Sequence, residues 1–480
     1  MYKRSFFVVF SLIISLVYST FSFATSSTSL PEGLKGALCI VRADDKLVLV
    51  NEILTHQISL PGGTIIAGED PALTAQRETW EETGLVVTVG KVLGYNEQAV
   101  FYDCISDSSV VAFNFNNSLD GNELPVWFAP HYGVEIASAM LLSPLALEAS
   151  QYRYPQQWPM VQQMFGQATD QAVAYVNDLV ESAPSYHQVE LGWLMQLQAF
   201  VASSPVLSAL GLLLSYFAIY LTSPEILLVV MPLAMWRFGR DFTYQLFFAV
   251  VATSLLCLVA QQGFALPRPH VYWPVLEMTQ SYGFGFPSLP IAVWACLSAL
   301  ILRRLGWLRS GRALRLTSLV VSVVMFGKFY SGAAFIADMM IGGLLGGLVA
   351  WHIIRLDSKP NVNVAQLLGA KSVWIAMAVL AAVLTAMWPL PVFSAWLATL
   401  IVISLLVVFF KTSQVSLSQG HTLIIVVALL SFNLIITLAQ GVIAYSGLYS
   451  FIVETLRYPL IALLFAVLAK RFNQQNSVKK

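Results

Sequence analysis

Residues 63–85 read GTIIAGEDPALTAQRETWEETGL, and the placing of their polar and glycine positions decides how the first part of the chain folds. Asp70 stands where a helix N-cap belongs, Pro71 at the first helical position and Gly84 just past the end, which predicts a helix from Pro71 to Thr83. Within it Glu78, Glu81 and Glu82 fall at i, i+3 and i+4, so three carboxylates share one face of about one turn. Like charges so placed weaken a helix unless a cation sits among them. Arg77 reaches Glu81 at i+4, yet one guanidinium does not neutralise three carboxylates. A hard divalent cation does, and Mg²⁺ takes oxygen ligands of this kind together with substrate phosphates. The alternative is a solvated acidic helix face.

Upstream, Gly36 to Ala43 and Lys46 to Ile53 read as strands separated by the turn signal Asp44-Asp45, and Leu60-Pro61-Gly62-Gly63 as a loop. Downstream, Val110 to Phe115 and Tyr132 to Met140 read as further strands, with a short helix around Trp158 after Pro155. Glu135 is a candidate additional carboxylate, and Tyr102, Trp127 and Tyr154 are aromatic candidates for stacking on a base or for the core. Cys39 and Cys104 are read as buried free thiols, with pairing the alternative should this part be exported.

The chain as a whole is 57% hydrophobic and only 11% charged, against about 25% charged in an ordinary soluble domain. That excludes a single water-soluble globule. The excess is confined to the part after about residue 200, where apolar runs of membrane-spanning length follow one another. Net charge is zero, with 26 basic and 26 acidic residues, and no basic block appears, so nucleic acid is not expected as a partner. At the start, Lys3 and Arg4 precede an apolar stretch from Phe6 to Val17 that ends at Ser22-Phe23-Ala24, the pattern of a signal peptide over residues 1–24.

Gly63, Glu69, Arg77-Glu78, Glu81-Glu82, Thr83, Gly84 and Leu85 match the Nudix box at every polar and glycine position, departing only at Thr79, where an aliphatic residue is usual. Residues 33–170 therefore resemble a Nudix hydrolase domain. The resemblance implies an α+β fold, an αβα sandwich, and cleavage of a diphosphate linkage by water with Mg²⁺ or Mn²⁺. It implies Glu78, Glu81 and Glu82 as metal ligands, with Glu81 or Glu82 activating the water. Gly63 would offer its carbonyl to the metal, Arg77 would orient the carboxylates, and Glu69 would be a secondary ligand or a support.

Residues 171–203 read as a linker containing Pro184 and then an amphipathic interfacial helix with Trp193, Leu194, Leu197 and Phe200 along one side. An all-α polytopic membrane domain of nine or ten transmembrane helices follows. Its apolar segments fall at about 206–221, 224–236, 242–260, 287–302, 313–326, 333–354, 372–388, 391–410, 422–445 and 450–469. Basic residues recur after every second segment, at Arg237 and Arg240, the Arg303 to Arg315 cluster, Arg355 and Lys359, Lys411, and Lys470 and Arg471, which marks those loops as cytoplasmic. An exported first domain fits this pattern if 189–221 lies along or dips into the outer interface without crossing and nine spans follow from 224 onward. A cytoplasmic first domain with ten spans is the alternative. The expected location is the inner membrane of a bacterium, with the first domain in the periplasm.

The outward loops carry Arg268-Pro269, Pro287-Ser288 and Lys328 with Asp338, a layout that resembles the three-part signature of the PAP2 lipid phosphatase family over residues 204–356. Its motifs are degenerate. Gln261 stands for the family's lysine, Leu289 and Pro290 for glycine and the acid histidine, Gly327 for serine, and Ala334 for the nucleophilic histidine. Arg268, Ser288, Lys328 and Asp338 remain as phosphate-binding candidates, so this half is expected to bind a phosphorylated lipid or act as a scaffold rather than to form a phosphohistidine. The helices at 370–470 exceed that core and carry a Glu454/Arg457 pair. The functional expectation is a membrane-tethered diphosphate hydrolase. Its substrate is a diphosphate-containing small molecule or a polyprenyl or other lipid diphosphate, and membrane lipid is its other partner. The alternatives are a lipid phosphatase of the undecaprenyl-diphosphate kind and a non-catalytic phosphate sensor.

Overall fold

Asp44 and Asp45 both take positive φ, 50° and 53°, and this tight turn joins the strands on either side. The computed structural model describes residues 33–409 and 417–478; the expected signal segment and Lys411 lie outside the described residues. The strands before the turn are β1 (Gly36–Ile40) and β2 (Arg42–Ala43), followed by β3 (Lys46–Glu52), β4 (Ile58–Ser59) and β5 (Gly62–Thr64). Helix α1 occupies Pro71–Thr83 as its punctuation requires: Asp70 accepts from the Ala72 amide, and Gly84 turns left-handed at φ 72°. After it come β6 (Val87–Tyr95), β7 (Ala99–Ser106), β8 (Val110–Phe113), β9 (Asn122–Leu124), β10 (Ile136–Leu142), α2 (Trp158–Phe165), β11 (Asp170–Gln171) and β12 (Val173–Val176).

One sheet has the order β5-β1-β7-β6, with β1 and β7 parallel, and a second runs β11-β2-β3-β10-β9. Alternation along the strands builds two cores. Ala37, Val48, Val100 and Leu141 pack with Ala75 of α1 on one side, while Ile40, Leu49 and Phe101 pack with Trp158, Val161 and Met164 of α2 on the other. The result is the αβα sandwich expected from the sequence. Three local readings need correction. The strand expected from Tyr132 begins at Ile136, because 129–135 is a turn-rich loop. The expected linker from 171 starts too early, since β12 pairs in parallel with β8. Cys39 and Cys104, on neighbouring strands with Cα atoms 5.5 Å apart, form a disulfide rather than remaining free thiols.

The helical half contains α3 (Ser185–Ala202), α4 (Pro205–Thr222), α5 (Leu227–Phe238), α6 (Arg240–Phe264), α7 (Leu289–Arg304), α8 (Gly311–Tyr330), α9 (Ile336–Asp357), α10 (Lys371–Met387), α11 (Pro391–Phe409), α12 (Gln419–Ile443) and α13 (Gly447–Val478). Seven of these, α4, α6, α8, α9, α11, α12 and α13, are long and apolar enough to cross a membrane. The shorter α7 and α10 run beside α6. At one end of α7, Arg304 covers Phe242; at the other, Gln261 donates to the carbonyl of Pro287. Trp374 of α10 meets Tyr244 and Phe247, and Leu384 lies by Leu255 and Leu258.

The α/β domain rests on one end of this bundle. Trp127 packs against Tyr272, Tyr132 against Phe284, the Leu179 amide donates to Tyr272, and Arg153 donates to the carbonyl of Tyr445. Helix α3 packs at the same end, where Gln198 donates to the carbonyls of Leu276 and Tyr330. Its packed face is His187, Glu190, Leu191 and Leu194, however, and the expected Trp193 and Phe200 are exposed. Helix α4 departs from the expected interfacial course. Gly211 meets the Tyr330 ring and Ser215 donates to Gly327, so α4 descends antiparallel alongside α8. Conversely α5, expected as a span, has twelve residues, roughly 18 Å of helix against the ~30 Å of a bilayer core. The prolines at 224 and 232 and Gly239 at φ 86° limit it. Among the described residues, seven helices are thus long and apolar enough to cross a membrane, α4 among them and α5 not.

Helices α7 and α9 approach most closely. A Cβ on Gly342 or Gly346 would overlap the carbonyl of Ser288 or Ala292, the small-xxx-small contact that membrane helices use. Gly347 faces open space. Gly346→Leu should therefore lower the thermal midpoint of the detergent-solubilised protein by roughly 5 °C, from overpacking of about 1–3 kcal/mol, with Gly347→Leu unchanged.

Candidate active site

Helix α1 presents Arg77, Glu78, Glu81 and Glu82 toward β5 and the 129–135 loop. Arg77 is the hub: its Nε and Nη2 donate to Glu69 at 3.0 and 3.1 Å, and its Nη1 donates to Glu78 at 2.9 Å and Glu81 at 2.8 Å. Glu69 also accepts from the Thr74 hydroxyl, and these donors hold its carboxyl down at about 2. It faces the arginine and acts as a support. Gly63 enters through its missing side chain, because a Cβ there would overlap the Glu78 carboxylate. Thr79, the position that departs from the box, is fully buried and donates its hydroxyl to the Ala75 carbonyl at 2.7 Å, so the core tolerates it.

Glu82 is buried and accepts the Gly62 amide at 2.9 Å. Burial, then the charges of Glu52, Glu78 and Glu135, push its carboxyl well above the ordinary range; burial likewise raises Glu78. Glu52 itself is neutralised by Arg153, at 2.8 and 2.9 Å. Two residues join from the 129–135 loop. His131 donates its amide to the Glu81 carbonyl at 2.8 Å and places Nε2 3.8 Å from the Glu81 carboxylate. Its Nδ1 lies 3.6 Å from Glu135. Ligand atoms of Glu78, Glu81 and His131 lie within 4.8 Å of one another. Converging oxygen and nitrogen donors, with one guanidinium among more carboxylates than it can neutralise, fit a divalent cation. Glu135 is brought to the site; His131 was not foreseeable, since nothing in its local sequence marks it. Of the aromatic candidates, Tyr102 is core and Trp127 packs at the junction between the halves.

The second group of candidates also converges, at the junction between the halves. The Ser288 amide donates to the Asp338 carbonyl at 2.9 Å, and both Asp338 and Lys328 lie within electrostatic reach of Arg268. Arg268 spends Nε and Nη1 on the carbonyls of Tyr282 and Ala333, at 2.9 and 2.6 Å, so it acts as a strut between two loops. Ala334 and Pro290 supply no nucleophile or acid. The sequence reading missed α3 here. His187 Nε2 lies 3.1 Å from Asp338, with both side chains fully buried and the His187 ring stacked on Phe335, while Glu190 accepts the amides of Ile336 and Ala337 and caps α9.

Residues 34–164 match the NUDIX domain family model. No curated protein matches the chain. Among solved structures, an ADP-ribose pyrophosphatase from Streptococcus suis is similar at 16% identity over 28% of this chain and 96% of its own, with a TM-score of 0.21. The LpxE of Aquifex aeolicus is similar at 18% identity over 34% of this chain and 94% of its own, TM-score 0.28. The first transmembrane PAP2 type phosphatidylglycerolphosphate phosphatase from Bacillus subtilis is similar at 17% identity over 36% and 98%, TM-score 0.26. The chain thus consists of a Nudix-type α/β domain followed by a helical region with seven candidate membrane-spanning helices.

The raised affinity of Glu82 for protons has a consequence for stability. Folding favours its protonated form, so its contribution is fully present below the ordinary glutamate range and is lost as pH rises through the higher folded value. Glu82→Gln should therefore raise the thermal midpoint of the chelator-treated protein at neutral pH. Added divalent cation should raise the midpoint of the unaltered protein more than that of the variant.

Proposed function

We propose that the chain is a membrane-anchored hydrolase of diphosphate linkages whose reaction takes place in the Nudix-type domain. The observation that carries this is the convergence of Glu78, Glu81 and His131 around one point, within the stretch that matches the family model. A divalent cation such as Mg²⁺ or Mn²⁺ held by Glu78, Glu81 and His131, with Glu82 beside them, would supply positive charge to the diphosphate oxygens and acidify water. Arg77 fixes the carboxylates by donating to Glu69, Glu78 and Glu81. One of Glu81 and Glu82 takes the proton of the attacking water. The helical half then works as anchor and lipid-holding scaffold, in keeping with Ala334 and Pro290 at the two positions where PAP2 chemistry needs histidine.

On this reading the α/β domain lies outside the cytoplasm, in the periplasm of a diderm bacterium. Two observations support this. The ends of the helices remote from the α/β domain carry Arg240, Arg303, Arg304, Arg355 and Lys470, as cytoplasmic ends do, and the Cys39–Cys104 disulfide suits an oxidising compartment. An alkaline phosphatase fused after Pro184 should be active, and one fused after Arg471 inactive; the reverse pattern puts the domain in the cytoplasm.

Metal-dependent phosphate release from nucleotide and lipid diphosphates tests the activity. Glu81→Gln should lower turnover by about 10²–10⁴-fold, with Asp338→Ala having little effect. Loss with Asp338→Ala alone would favour lipid phosphatase chemistry, and no turnover by the parent protein would leave recognition only.

A further inference from the structure

A cavity of 690 Å³ opens between the two halves, and its walls are mostly apolar. Tyr244, Phe247, Val250, Ile461, Phe465 and Ala466 line it within the bundle, down to Arg240 and Lys470 at the remote end. From Glu454 to Lys470 along α13 is sixteen residues, roughly 24 Å, most of the thickness of a bilayer core. The upper wall belongs to the α/β domain: Ile53, Leu54, Gly133 and Val134. These residues adjoin the acidic cluster in the chain. Ile53 follows Glu52, which faces Glu82, and its amide donates to the Glu135 carbonyl at 2.7 Å. Val134 is three residues from His131, so their Cα atoms are at most about 11 Å apart.

Below the α/β domain, three polar lining residues of α12 and α13 contact one another. Gln440 donates to Glu454 at 2.8 Å, Arg457 donates to Gln440, and Arg457 Nε lies 3.3 Å from Glu454. Arg457 keeps its Nε without a hydrogen-bond acceptor, so at this level the lining is apolar apart from this network and Glu225, and one guanidinium borders the route from the cavity toward the carboxylate cluster.

We infer that this cavity holds the hydrocarbon tail of a lipid diphosphate whose head reaches the Glu78/Glu81/His131 cluster. The inference rests on the hydrolase reading and names its substrate class. In the reaction water oxygen bonds to one phosphorus, the bridging P–O bond breaks, and the released phosphate and the lipid monophosphate carry away the water's protons. The lipid site is thus distinct from the Arg268–Lys328 pair.

The test uses the full chain in phosphatidylcholine nanodiscs with Mg²⁺. A methylene-bridged farnesyl diphosphate with a diazirine in its tail should label α6, α11 and α13 at least tenfold more than a diazirine-tailed phosphatidylcholine. Ala462→Trp and Ala466→Trp, whose side chains would fill the cavity, should cut that labelling. They should also lower the ratio of kcat/KM for farnesyl diphosphate to that for methyl diphosphate at least tenfold. Equal labelling by both probes means that bulk bilayer lipid fills the space, and overturns the inference. An unchanged ratio in both variants overturns it too. Selective labelling without hydrolysis of either diphosphate keeps the lipid site and removes the hydrolase reading; hydrolysis of methyl diphosphate with unselective labelling does the converse.

Discussion

Three carboxylates within one turn of α1, served by one guanidinium, set the terms for everything around them. An isolated helix with that face is weakened by its own charge, so the fold supplies what the helix lacks. Asp70 and Gly84 close its two ends, Gly63 lets β5 come against Glu78, and Arg77 binds Glu69, Glu78 and Glu81 together. What remains uncompensated is Glu82, inside the protein with other carboxylates nearby. A buried carboxylate of that kind is costly unless a cation or a proton meets it, and the site's chemistry follows from this unmet charge.

The same cluster fixes where the two halves meet. The loop that delivers His131 and Glu135 continues into Tyr132, Gly133 and Val134, and these rest on Phe284, Gly283 and the apolar wall around Leu390 and Phe393. The loop that brings His131 to the acidic cluster is therefore also the docking loop. Moving the α/β domain off the bundle would move a candidate ligand with it, so the membrane half contributes to the geometry of the cluster without reaching it.

Legibility in the sequence followed the range of the interactions involved. Helix α1, its caps and its acidic face are determined within fifteen residues, and all were readable. So was the turn at Asp44-Asp45. His131 comes from a loop about fifty residues away, and Cys39 meets Cys104 only because β1 pairs with β7; neither leaves a local trace. Hydropathy identified apolar segments but neither their breaks nor their partners: α4 packs along α8 through Gly211 and Ser215, while α5 is cut to twelve residues. On α3 the apolar residues drew attention, whereas the packed face is organised around two polar ones, His187 and Glu190, whose partners lie on α9.

Those partners also show what Asp338 and Arg268 do in this protein. Asp338 is fully buried against His187, and its backbone carbonyl accepts the Ser288 amide. Arg268 joins the Tyr282 and Ala333 carbonyls. Buried charges persist only where paired and hydrogen-bonded, and here each pairing ties α3, α9 or the outer loop to its neighbour. The loop that Arg268 holds through Tyr282 is the one bearing Gly283 and Phe284, the floor on which Tyr132 and Gly133 sit. Arg268, Asp338 and Ser288 thus brace the surface beneath the carboxylate cluster, linking the stability of one half to the geometry of the other.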